Sequence, residues 1–244
     1  MPDDSQKIVV VTGSASGIGL ATAANFIAAG DVVIGLDQSE HPELPVDENT
    51  GSWYPGRLDV SDTQSVSAEF ERILNDHGRI DILVTSAAVG FPESFVSMPV
   101  ESWNRVFRVN VTGSMLCIRR ALESMVPQGA GVIALVSSIA GRTKSVSNGA
   151  HYTASKYGLI GLTRHLAAEL AGTGVRINCI APGPTNSPIL TAHTNPEDVR
   201  RIKSNTPLGR IAEPKEVADV ISFATSSRAR QIHGAILDVN GGLY

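Results

Sequence analysis

Cysteine is almost missing from this chain: its 244 residues hold only Cys117 and Cys179. Two cysteines outside any CxxC pair are too few for a disulfide framework. Both lie in apolar stretches, which suits buried thiols in a reducing compartment. Also missing is an apolar run of about 18 residues, the least a membrane-spanning helix needs. The opening MPDDSQK has neither the basic start nor the longer apolar run of a signal peptide, Ile8–Val11 being too short. The cytoplasm is therefore the expected location. Basic residues show no surplus either. Twenty Lys and Arg stand against 24 Asp and Glu, interspersed, for a formal charge of −4. Nucleic acid and anionic membranes both call for a clustered basic patch, so neither partner is expected. His41, His77, His165, His193 and His233 form no metal-ligand spacing, and no catalytic metal is expected.

What is present is an ordinary globular composition, 42% hydrophobic and 18% charged. There is no long linker, repeat or low-complexity tract, and one domain over residues 1–244 is expected. Short β-branched runs alternate with longer helical segments. Strands are predicted at Lys7–Thr12, Asp31–Leu36, within Trp53–Val60, and at Asp81–Thr85, Gly131–Ser137, Val175–Ile180 and Ala235–Val239. Helices are predicted at Gly17–Ala29, Ser61–His77, Val100–Met125 (one long helix or a pair), Tyr152–Ala171 and Pro214–Ala224; Gln38–Ser52 reads as loop. The strand runs are nearly continuous in apolar residues, as in strands covered on both faces. The fold class is therefore α/β, a Rossmann-type doubly wound parallel sheet in three layers. Such sheets bind ligands at the carboxyl ends of their strands.

The first strand runs into Thr12-Gly13-Ser14-Ala15-Ser16-Gly17-Ile18-Gly19 and then a helix. Glycines let a backbone approach a pyrophosphate closely, and the helix N-terminus offers free N–H groups to that anion. The spacing is G-x-x-x-G-x-G, set between first strand and first helix, and it points to a dinucleotide. Asp37 ends the second strand, near the offset at which an acid meets the adenosine ribose. A carboxylate there accepts from both ribose hydroxyls and repels a 2′-phosphate. The turn offers Ser14, Ala15 and Ser16 with no base for that phosphate, which favours NAD over NADP. Asp59, in Leu-Asp-Val, suits either an adenine contact or the cap of the next helix, and the sequence does not separate the two.

Tyr152 and Lys156 stand four apart at the start of a helix, hence on one face. A tyrosine hydroxyl titrates near about 10, too high for proton transfer near neutrality. An adjacent ammonium and the helix N-terminus would each lower it. Ser137 and Ser138 close a buried strand, where a hydroxyl can hydrogen-bond a substrate oxygen. Asn110, inside an apolar helical stretch, needs its amide satisfied, by a water or a polar network.

At these residues the chain resembles the short-chain dehydrogenase/reductase family in its form of about 250 residues, over essentially the whole length. The family's TGxxxGxG is matched by Thr12–Gly19, its YxxxK by Tyr152–Lys156, its serine by Ser138, its asparagine by Asn110 and its Pro-Gly by Pro182-Gly183. The resemblance implies a secondary-alcohol/ketone oxidoreductase working with a nicotinamide dinucleotide, which Asp37 makes NAD. Tyr152 would move the proton, Ser138 hold the substrate oxygen, Lys156 hold the nicotinamide ribose and lower the tyrosine pKa, and Asn110 hold a water linking Lys156 to solvent. The cofactor would lie along Gly13, Ser16, Gly17, Ile18, Gly19, Asp37, Asp59, Val60, Ala87, Tyr152, Lys156, Pro182 and Gly183, with Thr185 and Ser187 at the carboxamide. A homotetramer is also implied, with the helices near 100–125 and 152–171 at an interface.

Three departures stand out. Thr85-Ser86-Ala87-Ala88 replaces Asn-Asn-Ala-Gly, Asn240-Gly241-Gly242 replaces Asp-Gly-Gly, and the 13 residues between Ser138 and Tyr152 are one more than expected, which suggests a reshaped Arg142–Ala150 loop. A substrate pocket is expected from Val89–Phe91, Arg142–Ser147, His151 and 187–205, with Arg142 or His151 meeting a polar or anionic substrate group. Two other readings compete: an NADPH-dependent 3-oxoacyl-type ketoreductase, and a catalytically silent dinucleotide-binding regulator. Asp37 speaks against the first; intact Ser138, Tyr152 and Lys156 speak against the second.

Overall fold

The computed structural model describes residues 6–46 and 50–243. The first five residues, positions 47–49 of the predicted loop, and residue 244 lie outside it. Seven strands form one parallel sheet: β1 (Ile8–Thr12), β2 (Val32–Asp37), β3 (Ser52–Arg57), β4 (Ile82–Thr85), β5 (Gly131–Val136), β6 (Val175–Pro182) and β7 (Ile236–Val239). Their spatial order is β3-β2-β1-β4-β5-β6-β7. Strand order reverses between β1 and β4, and a crevice opens at the carboxyl ends of such a pair.

Two apolar layers explain the continuous strand runs. Successive strand residues point to opposite faces. Val10, Ile34, Leu83 and Ile133 pack with α2 (Thr63–His77), α4 (Ser114–Gln128) and α5 (Ala150–Glu169). Val9, Val11, Val33, Val84 and Ala134 pack with α1 (Gly17–Ala28) and α8 (Pro214–Thr225). Every residue of β1 and of β4 is buried. Each fully buried Val, Leu or Ile contributes roughly 1.5–3 kcal/mol, so both faces hold the sheet.

The elements depart from expectation in a few places. β3 spans Ser52–Arg57, so Asp59 lies two residues beyond its end. β3 is an edge strand, and only there does the chain tolerate Pro55, which cannot donate to a ladder. The predicted 100–125 helix is three pieces: α3 (Val100–Phe107), a π-helical turn over Arg108–Gly113, and α4. α5 begins at Ala150, two residues earlier than expected, which makes Tyr152 its third residue. The 187–205 stretch contains α6 (Pro188–Thr191) and α7 (Pro196–Asn205), which were not predicted. Among the described residues, no helix is long and apolar enough to cross a membrane.

Candidate active site

The glycine turn is built by exclusion. Gly13 takes φ +71°, and a Cβ there would sit 2.5 Å from the Ala87 amide nitrogen. A Cβ on Gly19 would lie 2.0 Å from the Gly13 carbonyl oxygen. Only glycine lets the turn close against both β4 and its own helix. Ser16, at the N-cap of α1, makes no side-chain cap, so the first N–H groups of the helix are left for a ligand. Asp37 braces the turn: one carboxylate oxygen accepts from the Ala15 amide at 3.1 Å and the other from the Ser39 amide at 2.9 Å. Behind the turn, the buried Ser14 hydroxyl lies 2.8 Å from Nε2 of His41. Burial pushes the His41 imidazole below its ordinary value, with Asp37 opposing.

Asp59 does not cap α2. That cap is Asp62, which accepts from the Gln64 and Ser65 amides at 2.8 and 3.1 Å. Asp59 instead accepts from the Ser61 amide and hydroxyl at 2.8 and 2.7 Å. Burial opposes its ionisation, but those bonds and one from Gln38 carry its carboxyl below the ordinary range. The second use left open by the sequence is thereby removed.

A cavity of about 790 Å³ runs from this turn to the ends of β5 and β6. Its wall carries Gly13, Ser16, Gly17, Ile18, Asp37, Asp59, Val60 and Ala87 at one end. At the other it carries Ser138, Tyr152, Lys156, Pro182, Gly183, Thr185 and Ser187. Gly19 lies beneath the turn, outside that wall. The volume is in the range of small-molecule sites. The glycine cradle, the open helix N-terminus and the Asp37 carboxylate fit the pyrophosphate and ribose of a dinucleotide.

At the reacting end, Ser138 begins a short 3₁₀ turn, Ile139–Gly141, and its hydroxyl accepts from the Ala140 amide at 3.1 Å. A Cβ on Gly141 would lie 2.6 Å from the Lys156 carbonyl, so this turn packs directly on α5. The Ser137 hydroxyl donates to the same carbonyl at 2.8 Å. These contacts bring the Ser138 hydroxyl to the Tyr152 phenol, on the same stretch of cavity wall. Tyr152 is 7% exposed and Lys156 2%. The Lys156 ammonium donates to the Val136 carbonyl at 2.9 Å and stands 5.4 Å from the Tyr152 ring centre.

Burial governs the electrostatics of this pair. It pushes the Tyr152 phenol up to about 12, with the Ser138 hydroxyl opposing. It draws Lys156 down to about 8, with Cys179 opposing. This corrects the expectation that the ammonium lowers the phenol here. Both groups sit in a low-dielectric interior that disfavours either charge, and the lysine hydrogen-bonds to a backbone carbonyl rather than to the phenol.

Asn110 lies in the π-helical turn and is fully buried. Its amide oxygen accepts from the Val89 amide at 2.8 Å. Its nitrogen donates to the Val89 carbonyl and to the Ser155 hydroxyl, both at 3.0 Å. The predicted polar network therefore exists, and it consists of protein atoms tying the segment after β4 to α5.

The two residues expected to meet substrate do not line the cavity. Arg142 turns away and pairs with Asp238, its nitrogens 3.1 and 2.5 Å from the two carboxylate oxygens. His151 is fully buried behind Tyr152, 3.3 Å from the Glu93 carboxylate. The wall near Tyr152 is formed by Gly90, Phe91, Ser145, Val146, Ser147 and Asn148, with Arg105, Arg108 and His193 also lining the cavity. Within 187–205 only residues up to His193 reach it, because α7 packs outside. Sequence reading missed Asn148, Glu93 and the His41–Ser14 pair. Asn148 follows directly on the predicted pocket stretch; the other two carry no local signal, since their partners lie far along the chain. Among the described residues no group of three His, Cys, Asp or Glu is placed to hold a metal.

Comparison with known proteins agrees with this geometry. The family profile described as "Enoyl-(Acyl carrier protein) reductase" matches residues 13–244. A cis-4-hydroxycyclohexanecarboxylate dehydrogenase from Sinomonas cyclohexanicum is 37% identical, over 98% of this chain and 96% of that protein. A 3-oxoacyl-[acyl-carrier-protein] reductase from Aquifex aeolicus is 36% identical, over 98% and 97%. The ligand-free aldohexose dehydrogenase of Thermoplasma acidophilum superposes with a TM-score of 0.88 at 28% identity, covering 99% of this chain and 95% of that one. With its profile match, its relatives and its assembled site in agreement, the chain belongs to the short-chain dehydrogenase/reductase family of oxidoreductases.

Proposed function

We propose that this protein is an NAD-dependent dehydrogenase of a small secondary alcohol, polyol or sugar, acting in the cytoplasm as a homotetramer. The observation that carries the reading is the Ser138–Tyr152–Lys156 cluster at the far end of a cavity that starts at the glycine turn. When bound, the nicotinamide supplies the hydride acceptor or donor. Tyr152 takes the alcohol proton in oxidation and returns it in reduction. The Ser138 hydroxyl, beside Tyr152 on the cavity wall, holds the same substrate oxygen. Lys156, its ammonium 5.4 Å from the Tyr152 ring centre, would hold the nicotinamide ribose. Asn110 keeps the Val89 segment on α5, which fixes the cavity wall. Thr185 and Ser187, on the cavity wall, would meet the carboxamide.

NAD is supported by Asp37, on the cavity wall beside a turn that carries no Lys or Arg. The second reading is NADPH-dependent reduction of a 3-oxoacyl group, favoured by the 36% identity to a reductase of that name. Purified protein with a panel of secondary alcohols, polyols, sugars and 3-oxoacyl thioesters, run with NAD(H) and NADP(H), separates the two. Alcohol oxidation with NAD is the expected outcome. Activity confined to NADPH and 3-oxoacyl substrates replaces it with the second reading, and silence with measurable NADH binding points to a regulator. Light scattering at four chain masses is the result expected of a tetramer.

A further inference from the structure

The first turn of α5 lacks a conventional cap. Gly149 occupies the N-cap, and packing keeps a side chain out: a Cβ there would lie 2.5 Å from the Glu93 carbonyl and 3.1 Å from Cε1 of His151. The third amide of a helix is one that an N-cap side chain normally satisfies, and in α5 that amide belongs to Tyr152. His151 supplies the missing acceptor. Its Nδ1 accepts from the Tyr152 amide at 2.8 Å. An imidazole nitrogen that accepts carries no proton, so the ring proton of the neutral form must sit on Nε2. That nitrogen faces the Glu93 carboxylate at 3.3 Å, and these two buried atoms make no hydrogen bond among the described residues, to each other or elsewhere, so each is the other's nearest available partner. The other Glu93 oxygen accepts from the Ser102 hydroxyl at 2.9 Å. Nearby, the Gly149 amide donates to the Phe91 carbonyl at 2.8 Å, so the segment after β4 is tied to α5 twice within three residues.

We infer that Glu93 and His151 form a positioning pair that orients Tyr152 through its backbone amide. Ser102 orients Glu93, Glu93 fixes the imidazole tautomer and ring plane, and the imidazole caps the residue whose hydroxyl moves the proton. The inference rests on the alcohol/ketone reading only in that turnover is one of its readouts.

The tautomer is read without turnover, by ¹⁵N NMR of histidine-labelled wild-type protein: His151 should show a bare Nδ1 and a protonated Nε2. The opposite tautomer, or a fast-exchanging mixture, overturns the pair even if the enzyme is active. In kinetics, His151→Phe and Glu93→Ala should each lower kcat about tenfold, the scale seen when an orienting partner is lost. KM and NADH affinity by fluorescence should stay within about twofold, since neither residue lines the cavity. Glu93→Gln, which keeps an acceptor for the Nε2 proton, should restore most of kcat. The double variant should be no worse than the poorer single one, because both act through one contact. Additive losses, a change confined to KM, or full kcat in Glu93→Ala sinks the inference, and Glu93→Ala decides the matter if His151→Phe fails to fold. A wild type silent toward every substrate, yet showing the expected tautomer, faults the proposed reaction and leaves the pair standing.

Discussion

The two ends of the cavity are built in opposite ways. The end at the glycine turn is local: Gly13, Ser16, Gly17 and Ile18 are near neighbours in sequence, Asp37 closes the adjacent strand, and most of the work is done by backbone. The far end gathers the half-buried Ser138 from after β5, Tyr152 and Lys156 from α5, and Asn110 from a π-helical turn, the last three almost wholly buried. The first end offers fixed dipoles and one exposed-side carboxylate. The second keeps two titratable groups where neither charge is comfortable. Damage at the first should show in affinity and cofactor choice, and damage at the second in turnover and its pH dependence.

Tyr152→Phe tests this division most severely. It removes the proton carrier and keeps the ring, so kcat should fall on the order of a thousandfold, within the range of general acid–base catalysis. NADH affinity, followed by fluorescence, should barely move; a parallel loss would show that the two ends are not separable. Asp37→Asn probes the other end. It keeps an acceptor for the Ala15 amide but removes the charge that repels a 2′-phosphate. The NAD-to-NADP ratio of kcat/KM should fall by about tenfold or more, as expected for one charge at close range. An unchanged ratio would take cofactor choice away from Asp37.

The pH profile sharpens the contrast. Burial holds the Tyr152 phenol up to about 12, above the ordinary value, so the free protein keeps it protonated at neutral pH. Oxidation needs the phenolate, whose population grows with pH below that value. Its kcat/KM should therefore climb by up to about tenfold per unit between roughly pH 7 and 9, while ketone reduction, which uses the protonated form, should show no such climb. A flat oxidation profile would mean that another group accepts the proton. The smallest effect is expected from Arg142→Ala. With its guanidinium paired to Asp238 and off the cavity wall, kcat and KM should stay within about twofold, and stability should drop by no more than about 1 kcal/mol, as is usual for a partly exposed pair.

How far the sequence can be read follows the same divide. The sheet, its helices and the cradle are local signals: apolar runs, glycines at a strand–helix junction, an acid at a strand end. Ser138, Tyr152 and Lys156 were readable because motif spacing carries them. Arg142 and His151 misled because closeness in sequence to a reactive residue does not say which way a side chain turns; one found Asp238, 96 residues away, and the other found Glu93. The proton balance between Tyr152 and Lys156 was also hidden, since helix spacing reports adjacency and not burial. The α6 helix is a single four-residue turn with little local pattern, whereas α7 carried a start signal that the reading passed over, Asn195-Pro196-Glu197-Asp198, which forms a capping box.

The π-helical turn at Arg108–Gly113 has a consequence for how this chain can change in length. A π turn is an α-helix holding one surplus residue. Deleting one residue there would restore plain helical winding and leave α3 and α4 presenting the same faces, because the surplus residue is absorbed within the turn itself. What would be lost is the widened turn that sets Asn110 against Val89 and Ser155, while Ser102 on α3 would keep its place at Glu93. The helix itself could do without the surplus residue and the site could not, so a one-residue deletion here should cost activity before it costs the fold.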